Sequence, residues 1–289
     1  MEHLTGRTAL VTGASRGLGT HIARHLAREG MNLVLCGRRE DALESVAHEL
    51  RGLGVKVSAV PADLGEESAV DSLAERGESL AGRIDVLVNN AGIELASPFT
   101  SCTREELTEI VTVNLMAPML LTQRLLPAML ARGEGHVVFI SSGAGKLGPA
   151  YQEPYAASKA GLIALTQSLR AEYRDAPVGF SVLCPGFTAG DGMYQRMMEE
   201  GFRSNRMLGE TTTERVARQV VRAIRRDLPE VHETGTAVRP IFALNELAPS
   251  LVERIAARTG ITELYRRVSL SRGREPDHAS PRAGSIGSR

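Results

Sequence analysis

The chain contains no tryptophan, and only 4% of its 289 residues are aromatic. It has three cysteines, Cys36, Cys102 and Cys184, widely spaced and without a CxxC pair. That count and spacing exclude a disulfide framework or a zinc site and point to a reducing, cytoplasmic setting. Net charge is also missing: 34 basic residues balance 34 acidic ones, so nothing draws the chain to nucleic acid or an anionic membrane. No run of 18 apolar residues occurs, which argues against a membrane span. The start, MEHLTGRTALVTG, lacks the basic and then apolar order of a signal peptide.

What is present is an ordinary globular composition, 43% apolar and 24% charged. A chain of this length buries roughly 75% of its unfolded surface. Short apolar runs at 8–12, 32–36, 55–60, 84–90, 136–142 and 179–185 read as strands. Helical patterns lie between them at 17–29, 40–51, 66–81, 103–131 and 153–174. Continuous rather than alternating apolar strands, separated by helices, predict a parallel sheet covered on both faces. Residues 186–210 read as a loop with a short helix, 211–226 as a helix opened by the threonines of TTTE, and 230–234 as a last strand. Residues 243–268 read as two short helices, the first ending at Gly260. From Ser271 the chain is polar and rich in Pro, Gly and Ser, the composition of disorder. The expected division is therefore a catalytic domain at 1–235, a helical extension at 236–270 and a disordered tail at 271–289.

VTGASRGLGTHIA (11–23) follows the first strand and opens the first helix. Gly13, Gly17 and Gly19 permit a tight turn whose backbone N–H groups suit a pyrophosphate. The spacing is GxxxGxG rather than GxGxxG, so position after a strand carries the inference more than the glycines do. CGRRE (36–40) ends the second strand. An acidic residue there would hold a ribose 2′-hydroxyl, whereas arginine suits a 2′-phosphate. Arg38 is the first candidate and Arg16 the second; Arg39 starts the next helix.

TGASRGLG (12–19), NNAG (89–92), Asn114 in TVNLM, ISS (140–142), YAASK (155–159) and PG (185–186) occur in the order and separations of one family. Over about residues 4–226 the chain resembles the short-chain dehydrogenases/reductases. The resemblance implies a single α/β domain with a doubly wound, Rossmann-type parallel sheet. It implies a reactive Tyr-x-x-x-Lys pair, which Tyr155 and Lys159 match and Tyr151 does not. Residues i and i+4 share a helix face, so the two side chains can meet beside one cofactor. A nearby ammonium favours the phenolate of tyrosine, whose ordinary pKa is about 10. Tyr155 would then exchange the substrate's proton.

By the same resemblance Ser142 steadies the substrate oxygen. Ser141, its neighbour, belongs to the strand end. Lys159 also holds the nicotinamide ribose and Asn114 organises the proton relay. Around the cofactor, NADP(H), the resemblance places Gly13, Ser15, Arg16, Gly17, Leu18 and Gly19; then Arg38, Asp63 and Leu64; then Asn90, Ala91 and Gly92; and finally Pro185, Gly186 and Thr188 beside Tyr155 and Lys159. No metal is implied.

Two regions depart from the family. The position five residues after Pro185, commonly threonine, is Gly190, which leaves Thr188 to take over the carboxamide contact. The chain also continues past the usual end; Leu244, Leu247, Leu251, Ile255 and Leu264 suggest an apolar stripe. That stripe suits a cap on the sheet or a partner subunit, a membrane surface, or a pocket wall. Met193, Tyr194, Met197, Met198, Phe202, Met207 and Leu208 in the segment 190–208 suit a lid over a bulky apolar substrate or an ordinary amphipathic helix. The expected activity is hydride transfer between NADP(H) and a ketone or secondary alcohol. Reduction of a 3-oxoacyl thioester is one alternative and a non-catalytic NADPH-binding regulator the other. The family habit is a homodimer or homotetramer joined through the helices at 103–131 and 153–174.

Overall fold

The computed structural model describes residues 1–204, 209–234, 239–256 and 258–273. Seven parallel strands form the main sheet: β1 (Thr8–Thr12), β2 (Asn32–Gly37), β3 (Val57–Pro61), β4 (Val86–Asn89), β5 (Gly135–Ile140), β6 (Val178–Pro185) and β9 (Glu230–Glu233). Their order is β3-β2-β1-β4-β5-β6-β9. β1 pairs with β2 on one side and β4 on the other, so the direction of winding reverses there. Brandishing loops at the carboxyl ends of strands around such a reversal, the sheet leaves a crevice for a ligand.

Helices α1 (Leu18–Arg28), α2 (Glu40–Arg51), α3 (Glu67–Ala81), α4 (Arg104–Val111), α5 (Ala117–Arg132), α6 (Glu153–Glu172) and α8 (Thr213–Arg226) cover the sheet. One apolar core joins the inner faces of α1, α2 and α8 to β1; the other joins α3, α5 and α6 to the opposite face. All five residues of β1 are buried, as a strand covered on both faces requires. Thr103 and Glu106 form a reciprocal capping box at the start of α4. Thr212 caps α8 by accepting from the Arg215 N–H at 3.3 Å.

Three expectations need revision. The helix expected over 103–131 is α4 and α5 joined by one π-helical turn, Thr112–Met116. Beside the expected short helix α7 (Met193–Glu199), the segment 186–210 contributes β7 (Phe187–Ala189) to a two-stranded parallel sheet whose other strand, β8 (Glu210–Thr212), takes the first residues of the helix expected over 211–226. The extension forms three helices, α9 (Arg239–Leu247), α10 (Pro249–Ala256) and α11 (Ile261–Ser271). Pro249 lacks the N–H needed to continue α9 and instead begins α10.

That interruption also dissolves the expected apolar stripe, because helical phase does not carry across it. Leu247 and Leu251 are 84% and 45% exposed, whereas Phe242, Val252, Leu264, Tyr265 and Val268 are buried. Leu264, Tyr265 and Val268 pack against Ala96, Tyr194, Met197 and Phe202. The extension thus packs onto the segment after β6 and joins it over the sheet's carboxyl end. Met207, Leu208 and the tail from residue 274 lie outside the described residues.

Candidate active site

A cavity of about 550 Å³ opens at the carboxyl ends of the strands. At one end it is walled by the glycine turn between β1 and α1. Gly19 sits so close to that turn that a Cβ there would lie 2.1 Å from the Gly13 carbonyl oxygen. Asn90 ties the turn to β4, its Nδ2 donating to the Thr12 carbonyl at 2.9 Å. The Gly17 N–H, at the start of α1, donates to the Asp191 carboxylate at 2.9 Å. An anionic oxygen therefore already occupies a backbone donor of this turn, the preference expected of a helix N-terminus.

Arg16, Arg38 and Arg39 line the same end. Burial lowers the Arg16 pKa, and Arg196, Arg39 and Arg38 add repulsion that the Asp191 carboxylate only partly offsets. Arg38 lies 3.9 Å from Asp63, an exposed and weak pairing. Positive charge in excess of its acidic partners, beside a backbone-lined turn, fits a dinucleotide with an additional phosphate. Ser15, Leu18, Leu64, Ala91, Gly92, Pro185, Gly186 and Thr188 complete the expected wall.

At the other end lie Ser142, Tyr155 and Lys159. The side chain of Lys159 is buried against β5, its Nζ donating to the Ile140 carbonyl at 2.9 Å. Nζ is 5.7 Å from the centre of the Tyr155 ring. Burial lowers the Lys159 pKa to about 8. Burial also raises the Tyr155 phenol well above its ordinary value; the Glu94 carboxylate adds to the rise and the Ser142 hydroxyl opposes it. The expected lowering by Lys159 is not seen: desolvation is the largest effect on the phenol, and only the Ser142 hydroxyl opposes it. Ser142 accepts from the Ala144 N–H at 3.1 Å. Ser141 is committed elsewhere, donating to the Lys159 carbonyl at 2.7 Å.

Asn114 sits within the π turn, fully buried and just behind the cavity. Its Oδ1 accepts from the Ile93 N–H at 2.8 Å, and its Nδ2 donates to the Ile93 carbonyl at 2.9 Å. Nδ2 also donates to Ser158 Oγ at 3.1 Å. The side chain thereby fixes the loop after β4 against α6. Such π turns cluster at functional sites.

Tyr151 has a left-handed backbone, φ 68°, rare for an aromatic residue. It packs against the apolar cluster under α11 and is not among the residues that line the cavity. Gly190 has φ 117°, and a Cβ there would lie 3.0 Å from Thr213 Oγ1. A threonine at 190 would therefore be strained. Thr188 instead faces the cavity, its hydroxyl donating to the Gly186 carbonyl at 2.9 Å.

Sequence reasoning missed several cavity residues: Glu94, Gln152, Asp191, Phe242, Ile261 and Tyr265. Only the proximity of Glu94 to NNAG offered a signal. A group of potential metal ligands was also missed. Cys184, Glu230 and His232 bring ligand atoms within 4.8 Å of one another. The Lys146 ammonium already sits 2.7 Å from Glu230, and burial pushes the Cys184 thiol up to about 12, so this arrangement is served by an internal cation.

A family model described as short chain dehydrogenase matches residues 7–200. The ketoacyl reductase HetN of Nostoc sp. is 37% identical over 94% of this chain and 96% of its own length. Two solved structures share the fold and the winding. A short chain dehydrogenase/reductase from Burkholderia phymatum, in complex with NAD, superposes with a TM-score of 0.77 and 27% identity, covering 87% of this chain and 96% of that one. A variant of actinorhodin polyketide ketoreductase with NADPH gives 0.75 and 28%, covering 83% of this chain and all of that one, 100%. Motif order, sheet order and these likenesses agree: the chain belongs to the short-chain dehydrogenase/reductase family and is an oxidoreductase.

Proposed function

We propose that the chain is an NADP(H)-dependent ketoreductase that interconverts a ketone and a secondary alcohol. The observation that carries this reading is one cavity with surplus arginine at one end and Ser142, Tyr155 and Lys159 at the other. The nicotinamide cofactor, when bound, supplies or accepts the hydride. Gly13, Leu18 and Gly19, and Gly17 once Asp191 releases its N–H, offer the backbone that cradles its phosphates, with Arg38 and Arg16 directed to the 2′-phosphate. Asp63, Leu64, Asn90, Ala91 and Gly92 flank the adenosine half, and Pro185, Gly186 and Thr188 the nicotinamide half.

In reduction, Ser142 donates a hydrogen bond to the carbonyl oxygen and Tyr155 delivers the proton to it. Burial keeps the phenol protonated but makes it a weaker acid, so the transfer draws on a cation that stabilises the phenolate. Lys159 binds the ribose and stabilises the phenolate left behind. Asn114 holds the Ile93 backbone and α6 in place for the relay that restores the proton. Met193, Met197, Ile261 and Phe242 supply an apolar wall suited to a bulky carbon skeleton.

The test is NADPH oxidation over small ketones, quinones, steroids and 3-oxoacyl thioesters, with NADH as the cofactor control. Turnover with NADPH should disappear in Tyr155→Phe; retention of most of the rate would refute the assignment. A narrower reading, reduction of 3-oxoacyl thioesters, draws on the likeness to HetN and the polyketide ketoreductase. It requires the thioester to outperform the corresponding simple ketone. Apolar groups exposed on α4, the π turn and α5, namely Val111, Met116 and Met119, support self-association through that face. A monomeric mass in solution would remove this part of the proposal.

A further inference from the structure

A carboxylate of the chain itself stands at a donor suited to a phosphate. Asp191 accepts from the Gly17 N–H at 2.9 Å, across 174 residues of sequence. Gly17 is the residue from which α1 starts, and its N–H is one of the donors that a helix N-terminus offers to an anion. That N–H cannot serve Asp191 and a phosphate oxygen at full strength together. Gly17 is buried, whereas Asp191 is exposed. A buried N–H needs an acceptor, and an exposed carboxylate can supply one and still return to water.

The chain on either side of Asp191 allows that return. Gly190 and Gly192 flank it with φ of 117° and 113°, values that glycine adopts freely and other residues rarely. Gly192 lies directly over the turn, its Cα 3.3 Å from where a Cβ on Gly17 would stand. Beyond this pair α7 is fixed by its other face. Tyr194 and Met197 pack with Leu264, Tyr265 and Val268, and the Tyr194 hydroxyl bonds to Ser204 and Glu210. Departure of Asp191 therefore turns the chain at two glycines and leaves α7 on the extension. Charge favours an exchange of anions at this place. Burial and the nearby Arg196, Arg39 and Arg38 all disfavour the Arg16 cation, and Asp191 is the acid that offsets them. Without its carboxylate these arginines need another anion.

We propose that Asp191 is an internal competitor of the dinucleotide: it occupies the Gly17 N–H in the free chain and must be displaced before a phosphate can take its place. Only hydrogen bonds are exchanged, and no covalent bond forms or breaks. The inference rests on the cofactor half of the ketoreductase reading and adds to it a built-in restraint on affinity. Apparent affinity falls in proportion to the fraction of chains in which the turn is open.

The experiment measures dissociation constants of NADPH, NADH and adenosine 2′-monophosphate by calorimetry in wild type, Asp191→Ala and Asp191→Asn. Alanine removes the acceptor, while asparagine keeps an acceptor and loses the charge. NADPH and NADH should both bind Asp191→Ala about three- to tenfold more tightly than wild type, the worth of one hydrogen bond. Asp191→Asn should fall between the two. Adenosine 2′-monophosphate carries the extra phosphate but no pyrophosphate, so its affinity should stay within about twofold. An equal gain for the monophosphate would mean that removal of a charge, rather than release of the turn, is responsible. No gain for the dinucleotides, or a loss, would overturn the competitor.

A second readout needs no cofactor. Exchange of the Gly17 amide hydrogen should rise at least about fivefold in Asp191→Ala. An unchanged rate would show that Asp191 does not hold this N–H in solution and would overturn the proposal at its root. If neither dinucleotide binds wild type or variant, the cofactor reading fails and displacement fails with it. If dinucleotides bind and only the gain is missing, the competitor alone fails. Ketone turnover enters neither readout, so loss of the ketoreductase reaction would leave the competitor standing.

Discussion

The two ends of the cavity are built differently. The glycine-turn end is built largely from the backbone of one short stretch, Gly13 to Gly19, with Arg38 after the adjacent strand and Asp191 reaching the Gly17 N–H from far along the chain. The substrate end is assembled from side chains of five separate stretches: Glu94 after β4, Ser142 after β5, Gln152 and Tyr155 around α6, Met193 and Met197 in α7, and Phe242, Ile261 and Tyr265 from the extension. Backbone recognition serves one shared ligand and tolerates little change. Side-chain walls can vary without disturbing the sheet, which is how one scaffold hosts many substrates.

The contrast is best broken from the substrate side first. Tyr265 is 7% exposed in the cluster joining α11 to α7. Tyr265→Ala should cost about 3–5 kcal/mol where the cluster is well packed. Denaturant titration should show that loss, while substrate KM rises and NADPH affinity changes less than twofold. Equal damage to both affinities would mean that the two ends are not separable.

Gly19→Ala tests the other end. The added Cβ meets a backbone oxygen at 2.1 Å, so the turn must shift. Overpacking of this kind costs about 1–3 kcal/mol. Calorimetry should show NADPH affinity falling by at least tenfold, and wild-type affinity would mean that the turn does not carry the phosphates.

A change in the frame beneath both ends should move stability alone. His136 in β5 is buried and held neutral, its pKa lowered by desolvation from 6.5 to about 3. The unfolded chain therefore binds this proton more readily than the folded chain. The stability it represents is complete above about pH 6.5 and is lost progressively as pH falls toward 3. Between pH 7 and 5 this amounts to about 2 kcal/mol. His136→Asn should flatten the pH dependence of unfolding by that amount; an unchanged slope would assign the acid sensitivity elsewhere.

The smallest expected effect is the most selective. Arg38→Asp should weaken NADPH about tenfold relative to NADH, the worth of one charge-assisted hydrogen bond. Parallel loss of both cofactors would indicate a damaged turn, and equal affinities before and after would reject Arg38 as the selector.

The parallel sheet was legible because it depends on local apolar periodicity. The glycine turn, Ser142, Tyr155 and Lys159 were named from the motif spacings of the family the chain resembles, and all of them line one cavity. The phase of the extension was not. Pro249 resets α10, and the buried set Phe242, Val252 and Tyr265 replaces the stripe through Leu247 and Leu251. The state of Tyr155 was not legible either, since desolvation depends on everything packed around it.

By itself the sequence determined the sheet, its covering helices and the position of the glycine turn, because apolar period and glycine placement act over a few residues. Tertiary structure alone decided that the extension walls the cavity and that Asp191 meets the Gly17 N–H across 174 residues. It also buried Gln152 beside Glu94 on the cavity wall. Those are matters of burial and convergence, and neither has a period that a linear chain displays.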